Sequence, residues 1–133
     1  MTTATENPQP TWWLVELGII PTLVFIGGKD KKMRCALTGR LSKNNAHTHV
    51  VPNGRSFCIC IGRHFWQDDY PTPTMLHEIA HVRTPHDTRH GPDWSKEFAQ
   101  LLHDWGYAIP DKKVTEYSGH KAQLVNPRKP TAA

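Results

Sequence analysis

An α+β fold is what this sequence predicts, and three observations predict it. Segments rich in β-branched and aromatic residues, some with period-two alternation, occupy the first half of the chain. Two helical segments with start and stop signals occupy the second half. The strands precede the helices rather than alternate with them, which separates this pattern from a parallel α/β fold.

The 133 residues suit one small domain with a modest core. Residues 1–10 (MTTATENPQP) are small, polar and proline-bearing, and residues 118–133 read likewise. Both are expected to be flexible tails, leaving 11–117 as the folded unit. WWLVELGII at 12–20 suits either a first strand or a short helix, interrupted by Pro21. TLVFI at 22–26 has strand composition, Gly27 and Gly28 make a turn, and MRCALTGRL at 33–41 makes a second strand. His47 and His49 alternate on a further strand; they can bind metal, but the sequence shows no partner for them. Asn53-Gly54 marks a turn suited to positive φ. In the strand at 55–63, Phe57, Ile59 and Ile61 alternate with Cys58 and Cys60, so one face is strongly apolar. The two cysteines point together, and without a second sulfur cluster they read as half-buried packing residues.

The period then changes. Thr72 is the expected N-cap and Pro73 the first helical position of a helix over 74–83, which Thr84-Pro85 ends. A second helix begins near Pro92 and runs to Trp105, with Gly106 as the stop. Trp94, Phe98, Leu101, Leu102 and Trp105 recur along it at helical spacing and give it a wide apolar stripe.

The bulk numbers narrow the setting. No run of about eighteen apolar residues exists to span a membrane, and the first residues lack the pattern of a signal peptide. Three cysteines make no even disulfide framework, so a reducing, cytoplasmic location is expected. The net charge of +4 is concentrated at 28–49, where Lys29, Lys31, Lys32, Arg34, Arg40 and Lys43 meet a single acid, Asp30. The ordinary reading of such a run is a solvated basic hairpin and loop. Its functional reading is a surface for the phosphate backbone of nucleic acid.

The chemistry is concentrated in TMLHEIAHVRTPHDTRHGPDW, residues 74–94. His77 and His81 are four apart on the first helix, so both imidazoles project from one side and can reach one Zn²⁺ at about 2.0–2.1 Å. At 100° per residue they lie opposite the stripe of Met75, Ile79 and Val82. Glu78 lies about 60° round from His81, badly set for a ligand and well set to hold a water beside the metal. A carboxylate that takes a proton from a metal-activated water makes a nucleophile for amide hydrolysis, the logic of HExxH. The open question is the third ligand. His90 sits where the second helix begins and would be held by an element packed through Trp94 and Phe98. Asp87, six after His81, is the challenger; His86 is as close in sequence but has no motif behind it.

HEIAH, a short gap and then HGPDW resemble the SprT-like zinc metalloproteases, and also the small HExxH…HGP proteins of phages and actinobacterial elements. The resemblance covers 77–94, and more loosely the strand before and the helix after. It implies a minimal zincin over 11–117: a small antiparallel sheet, an active-site helix and a supporting helix. It implies one Zn²⁺ on His77, His81 and His90, with Glu78 as general base and acid, and a protein or peptide substrate. The gap from His81 to His90 is shorter than in larger SprT-like proteins, and no cysteine-rich zinc ribbon follows. Association with DNA therefore rests mainly on the basic segment.

Two other readings remain. One is a non-catalytic module in which zinc orders a DNA- or protein-binding surface. The other is an ImmA/IrrE-type peptidase that cleaves a repressor and closes its site with an acidic residue. For the peptidase, the strand at 55–63 is expected to hold an extended substrate by β-augmentation, and Tyr107 or Tyr117 to polarise the scissile carbonyl or stabilise its oxyanion. Asp68-Asp69 and His103 read as solvated surface groups.

Overall fold

The segment at 12–20 that suits strand or helix is a helix, α1 (Trp12–Leu17), in the computed structural model, which describes residues 6–27, 33–34, 41–42, 46–50, 57–87, 89–109 and 114–130. The Thr11 side chain caps it by accepting from the Leu14 amide, and Trp13, Leu14 and Leu17 turn inward together. The Trp12 and Trp13 indoles donate to the Asp69 and Asp68 carbonyls, so α1 pins the loop that leads into the next helix.

After a 3-10 turn at Pro21–Leu23 the chain enters β1 (Val24–Gly27). Of the second strand expected over 33–41 the structure describes the two ends, β2 (Met33–Arg34) and β3 (Leu41–Ser42), which pair antiparallel and so cannot belong to one continuous strand. β4 (Ala46–Val50) and β5 (Phe57–Gly62) complete a three-stranded sheet in the order β1-β5-β4. β5 runs antiparallel to β4 but parallel to β1, so the sheet is mixed where an antiparallel one was expected. A parallel pair needs a long return connection, and the stretch between β1 and β5, with β2, β3 and β4 in it, supplies one. The Asn53-Gly54 turn and most of the basic 28–49 segment lie outside the described residues.

α2 (Pro73–Arg83) and α3 (Pro92–Asp104) have the starts the sequence predicts, with Thr72 accepting from the Met75 amide and a proline in each first turn. Gly106 follows the Trp105 cap of α3; its φ of 83° suits glycine and its missing Cβ leaves room for the Asn126 backbone. α2 is sandwiched between β4 and β5 on one side and α3 on the other. Every residue from Thr74 to Ala80 is consequently buried. The side of α2 opposite the apolar stripe is thus covered by α3, and its histidines are not set out in solvent. Trp13, Trp94, Trp105 and Phe98 are the largest fully buried side chains; truncating any one of them to alanine should cost about 3–5 kcal/mol.

Secondary structure continues past Ser118. β6 (Tyr107–Ala108), α4 (Glu116–His120) and β7 (Gln123–Leu124) follow α3, with β7 antiparallel to β6. A reciprocal capping box between Thr115 and Ser118 starts α4, so the expected tail boundary falls inside a helix. Farther on, the Arg128 guanidinium meets Glu16 at 2.8 Å and lies 4.7 Å from the centre of a Trp105 ring. At the other end Glu6 bridges to Ile26, and the Asn7 side chain donates to the Val24 carbonyl at 2.7 Å. Short polar elements of this kind carry no apolar periodicity, which is why composition alone reads them as tails. No helix among the described residues is long and apolar enough to cross a membrane.

Candidate metal centre

The spacing of His77 and His81 on α2 gives two imidazoles on one side, and the chain must bring a third group across from α3. It does so with His90, just before the N-terminus of α3, in a left-handed conformation at φ 56°. Non-glycine residues seldom take that conformation, and it aims this side chain back at α2. His90 Nε2 lies 3.1 Å from His81 Nε2 and 3.2 Å from His77 Nε2. The three ligand atoms all fall within 4.8 Å of one another, a group that can hold a metal ion. One proton on His90 Nε2 cannot make two good linear hydrogen bonds to two other ring nitrogens, so the cluster as built favours a shared cation over internal hydrogen bonding.

Burial keeps the His77 and His81 imidazoles neutral, the form that binds metals. His77 is pushed down to about 2, first by burial and then by repulsion from His120, His81 and His90. His81 is lowered to about 4 by burial and by His90, against a smaller opposite pull from Asp87. The rings of Trp94 and Phe98 wall the cluster, with centroids 4.7 and 5.5 Å from that of His77. The Trp94 indole also donates to the His77 carbonyl.

Glu78 sits beside the cluster, its Oε2 3.6 Å from His77 Nε2. With His77 neutral this is a polar contact and not an ion pair. Glu78 is 4% exposed, and burial raises its carboxyl to about 7 against the opposing hydrogen bond from Thr48. Thr48 Oγ1, on β4, donates to Glu78 Oε1 at 2.8 Å and so fixes which oxygen remains on the cluster side.

The other candidates fall elsewhere. Asp87 spends its carboxylate on the start of α3, accepting from the Gly91 amide at 2.8 Å and the Trp94 amide at 2.9 Å. His86 pairs with Asp93 on the surface. The Tyr107 hydroxyl is turned away from the cluster, donating to the Pro71 carbonyl within the core, and Tyr117 is largely exposed. β5 has β4 on one edge and β1 on the other, so both its hydrogen-bonding edges are used and it cannot take a substrate strand. The outer edge of β4 has no strand partner among the described residues.

Two neighbours of the cluster escape the sequence reading. His120 Nε2 lies 3.0 Å from His77 Nδ1, and His120 Nδ1 lies 3.0 Å from Thr74 Oγ1. If His77 offers Nε2 to a metal, its Nδ1–H donates to His120 Nε2, and His120 Nδ1–H donates to Thr74. One tautomer of each ring satisfies the whole relay. The Thr115–Ser118 capping box was the available signal for a helix carrying His120. Thr48 gave none, because a threonine on a strand has no spacing that points to a helix packed against it. Comparison of the chain with protein-family models, curated proteins and solved structures finds no match.

Proposed function

We propose that this protein is a zinc-dependent metallopeptidase of the HExxH kind, with His77, His81 and His90 as ligands and Glu78 as general base and acid. The observation that carries the reading is the convergence of three imidazole Nε2 atoms with a carboxylate oxygen 3.6 Å from one of them. Nitrogens sharing a tetrahedral Zn²⁺ at 2.0–2.1 Å lie about 3.3–3.4 Å apart, and the separations of 3.1 and 3.2 Å fit that edge. Three nitrogen ligands leave a fourth position open, as catalytic rather than structural zinc sites do.

Bound Zn²⁺ would supply Lewis acidity, lowering the pKa of a water and polarising a substrate carbonyl. The protein's own groups do the rest. Glu78 Oε2 takes a proton from the attacking water and returns it to the leaving amine, while Thr48 holds Oε1 and so keeps the carboxylate aimed. His120 fixes the ring of His77 through Nδ1. An extended peptide pairing with the outer edge of β4 would run beside Thr48 and Glu78. The SprT-like kinship and the DNA contact belong to this proposal through HEIAH…HGPDW and the basic 28–49 segment.

Glu78→Gln tests the reading. It should keep one equivalent of zinc at the three histidines and lose hydrolysis of an unfolded protein substrate by a factor of about 10³ or more. Wild-type protein that binds zinc and hydrolyses nothing, with or without DNA, would support a zinc-ordered binding module instead. The near-complete burial of Glu78 is the observation that favours that second reading.

A further inference from the structure

The antiparallel pairing of β4 with β5 sets His47 across from Cys60 and His49 across from Cys58. Alternation along each strand then gathers these four side chains on one face of the ladder. Thr48 and its partner Ile59 point the other way, Thr48 to Glu78 and Ile59 into the core. The two faces of β4 therefore look at different chemistry, the His77 cluster on one side and a histidine–cysteine cluster on the other.

The second cluster is tightly drawn. Ring nitrogens of His47 and His49 and the Cys60 sulfur all lie within 4.8 Å of one another. The two rings meet edge to face with centroids 4.7 Å apart. Cys60 is fully buried and both histidines are half-buried. His47 Nε2 is itself buried and is the one such side-chain atom among the described residues without a hydrogen-bond partner. A buried ring nitrogen left unmet beside a thiol and a second imidazole needs a physical account, since such groups are nearly always satisfied. A metal ion supplies one: it takes the nitrogen lone pair and neutralises the thiolate that burial alone would disfavour.

We infer that His47, His49 and Cys60 form a second metal site, distinct from the His77 cluster. Two imidazoles and a thiolate select a borderline ion such as Zn²⁺ over Mg²⁺ or Ca²⁺, which want oxygen ligands. Cys58, across from His49 on the same face, is a further sulfur there, and its recruitment would give the two-cysteine, two-histidine set of closed structural zinc sites. Metal there ties β4 to β5 and fixes the strand whose Thr48 holds Glu78.

Cobalt distinguishes the two sites, because only the second one contains sulfur. Metal-free protein titrated with Co²⁺ should bind two equivalents and develop the near-ultraviolet thiolate-to-cobalt charge-transfer band with one of them. Cys60→Ser should lose the band and keep one equivalent, which also shows that it folds. His81→Asn should lose the other equivalent and keep the band. If Cys60→Ser does not fold, His47→Asn and His49→Asn must abolish the band instead. A wild-type protein with one equivalent and no band overturns the inference, as does a band that survives these substitutions. Peptide hydrolysis enters none of these readouts, so the result stands apart from that of Glu78→Gln.

Discussion

Gly119→Ala is a small change on α4 that should weaken metal binding at a cluster to which Gly119 contributes no ligand. A Cβ at Gly119 would stand 2.6 Å from Phe98 Cζ and closer still to Cε2. Carbon atoms in contact prefer about 3.5–4.0 Å, so either α4 or the Phe98 ring has to move by about 1 Å. Phe98 is fully buried against Trp94 and His77, with ring centroids 5.2 and 5.5 Å away, so moving it presses on His77. Moving α4 instead stretches the His120–His77 contact from its 3.0 Å to beyond hydrogen-bonding range. Both routes disturb the orientation of the same ligand. Loss of such an orienting partner typically costs 10–100-fold in metal affinity, about 1.4–2.7 kcal/mol. The better helix propensity of alanine, worth about 1 kcal/mol, offsets part of the overpacking strain, so thermal stability should fall less than affinity does. Zinc competition against a chromophoric chelator measures this, with His120→Ala expected to match Gly119→Ala and the exposed Tyr117→Ala to match wild type. Wild-type affinity in both Gly119→Ala and His120→Ala would refute the idea that α4 orients His77.

Three further outcomes follow from the same geometry. His90→Asn, which tolerates the left-handed backbone, should lose the zinc equivalent held at the His77 cluster, whereas Asp87→Ala should keep that equivalent and lower the thermal midpoint by unfastening the start of α3; elemental analysis with calorimetry reads both. In metal-free protein, His77 and His81 titrate at about 2 and about 4 in the folded state against 6.5 ordinarily. The unfolded chain therefore binds more protons on these two groups below 6.5, so their contribution is complete above that pH and is lost as pH falls through 4 toward 2, while Glu78, raised to about 7, opposes it with one proton between 4.5 and 7; denaturant midpoints against pH will register the net fall. Thr48→Val removes a hydrogen bond that favours ionised Glu78. Turnover should fall about tenfold with zinc content unchanged, and the acid limb of its pH profile should move to higher pH.

The helices α2 and α3 were legible because their information is local. Thr72-Pro73 and Pro92 announce starts and Gly106 a stop through backbone chemistry that does not depend on what packs nearby. The coming together of His77, His81 and His90 was half legible: the first two by helical spacing, the third only by analogy and by its position before an anchored helix. Asp87 was a fair competitor on spacing, and in the structure its carboxylate answers a backbone demand, the two α3 amides it accepts from. The parts that were not legible are those decided by pairing across long sequence distances. A parallel β1–β5 ladder, the use of both β5 edges and the contact of His120 with His77 all join segments whose own patterns are silent about each other. α4 shows the limit well, since five residues without an apolar stripe are held by a capping box, a glycine against a phenyl ring and one histidine relay.

The position of α2 would make metal binding at the histidine cluster and folding hard to separate. Its residues 74–80 are buried on every side, so the helix that supplies His77 and His81 is also the centre of the core. Three imidazoles crowded at 3.1–3.2 Å, with an adjacent buried carboxylate, are a polar group of the kind that an apolar core tolerates only when it is satisfied. A cation at the cluster relieves that cost in the folded state alone, because the unfolded chain does not hold the three nitrogens together. Its binding free energy therefore adds to stability as RT ln(1 + [L]/Kd), about 4 kcal/mol at a thousandfold excess over Kd. Chelation should lower the thermal midpoint of the wild type by more than that of His90→Asn, which has already lost this site and keeps only the metal of the β4–β5 face. Equal shifts in the two proteins would place the stabilising metal somewhere other than this cluster, and the His47–His49–Cys60 face is where it would then be sought.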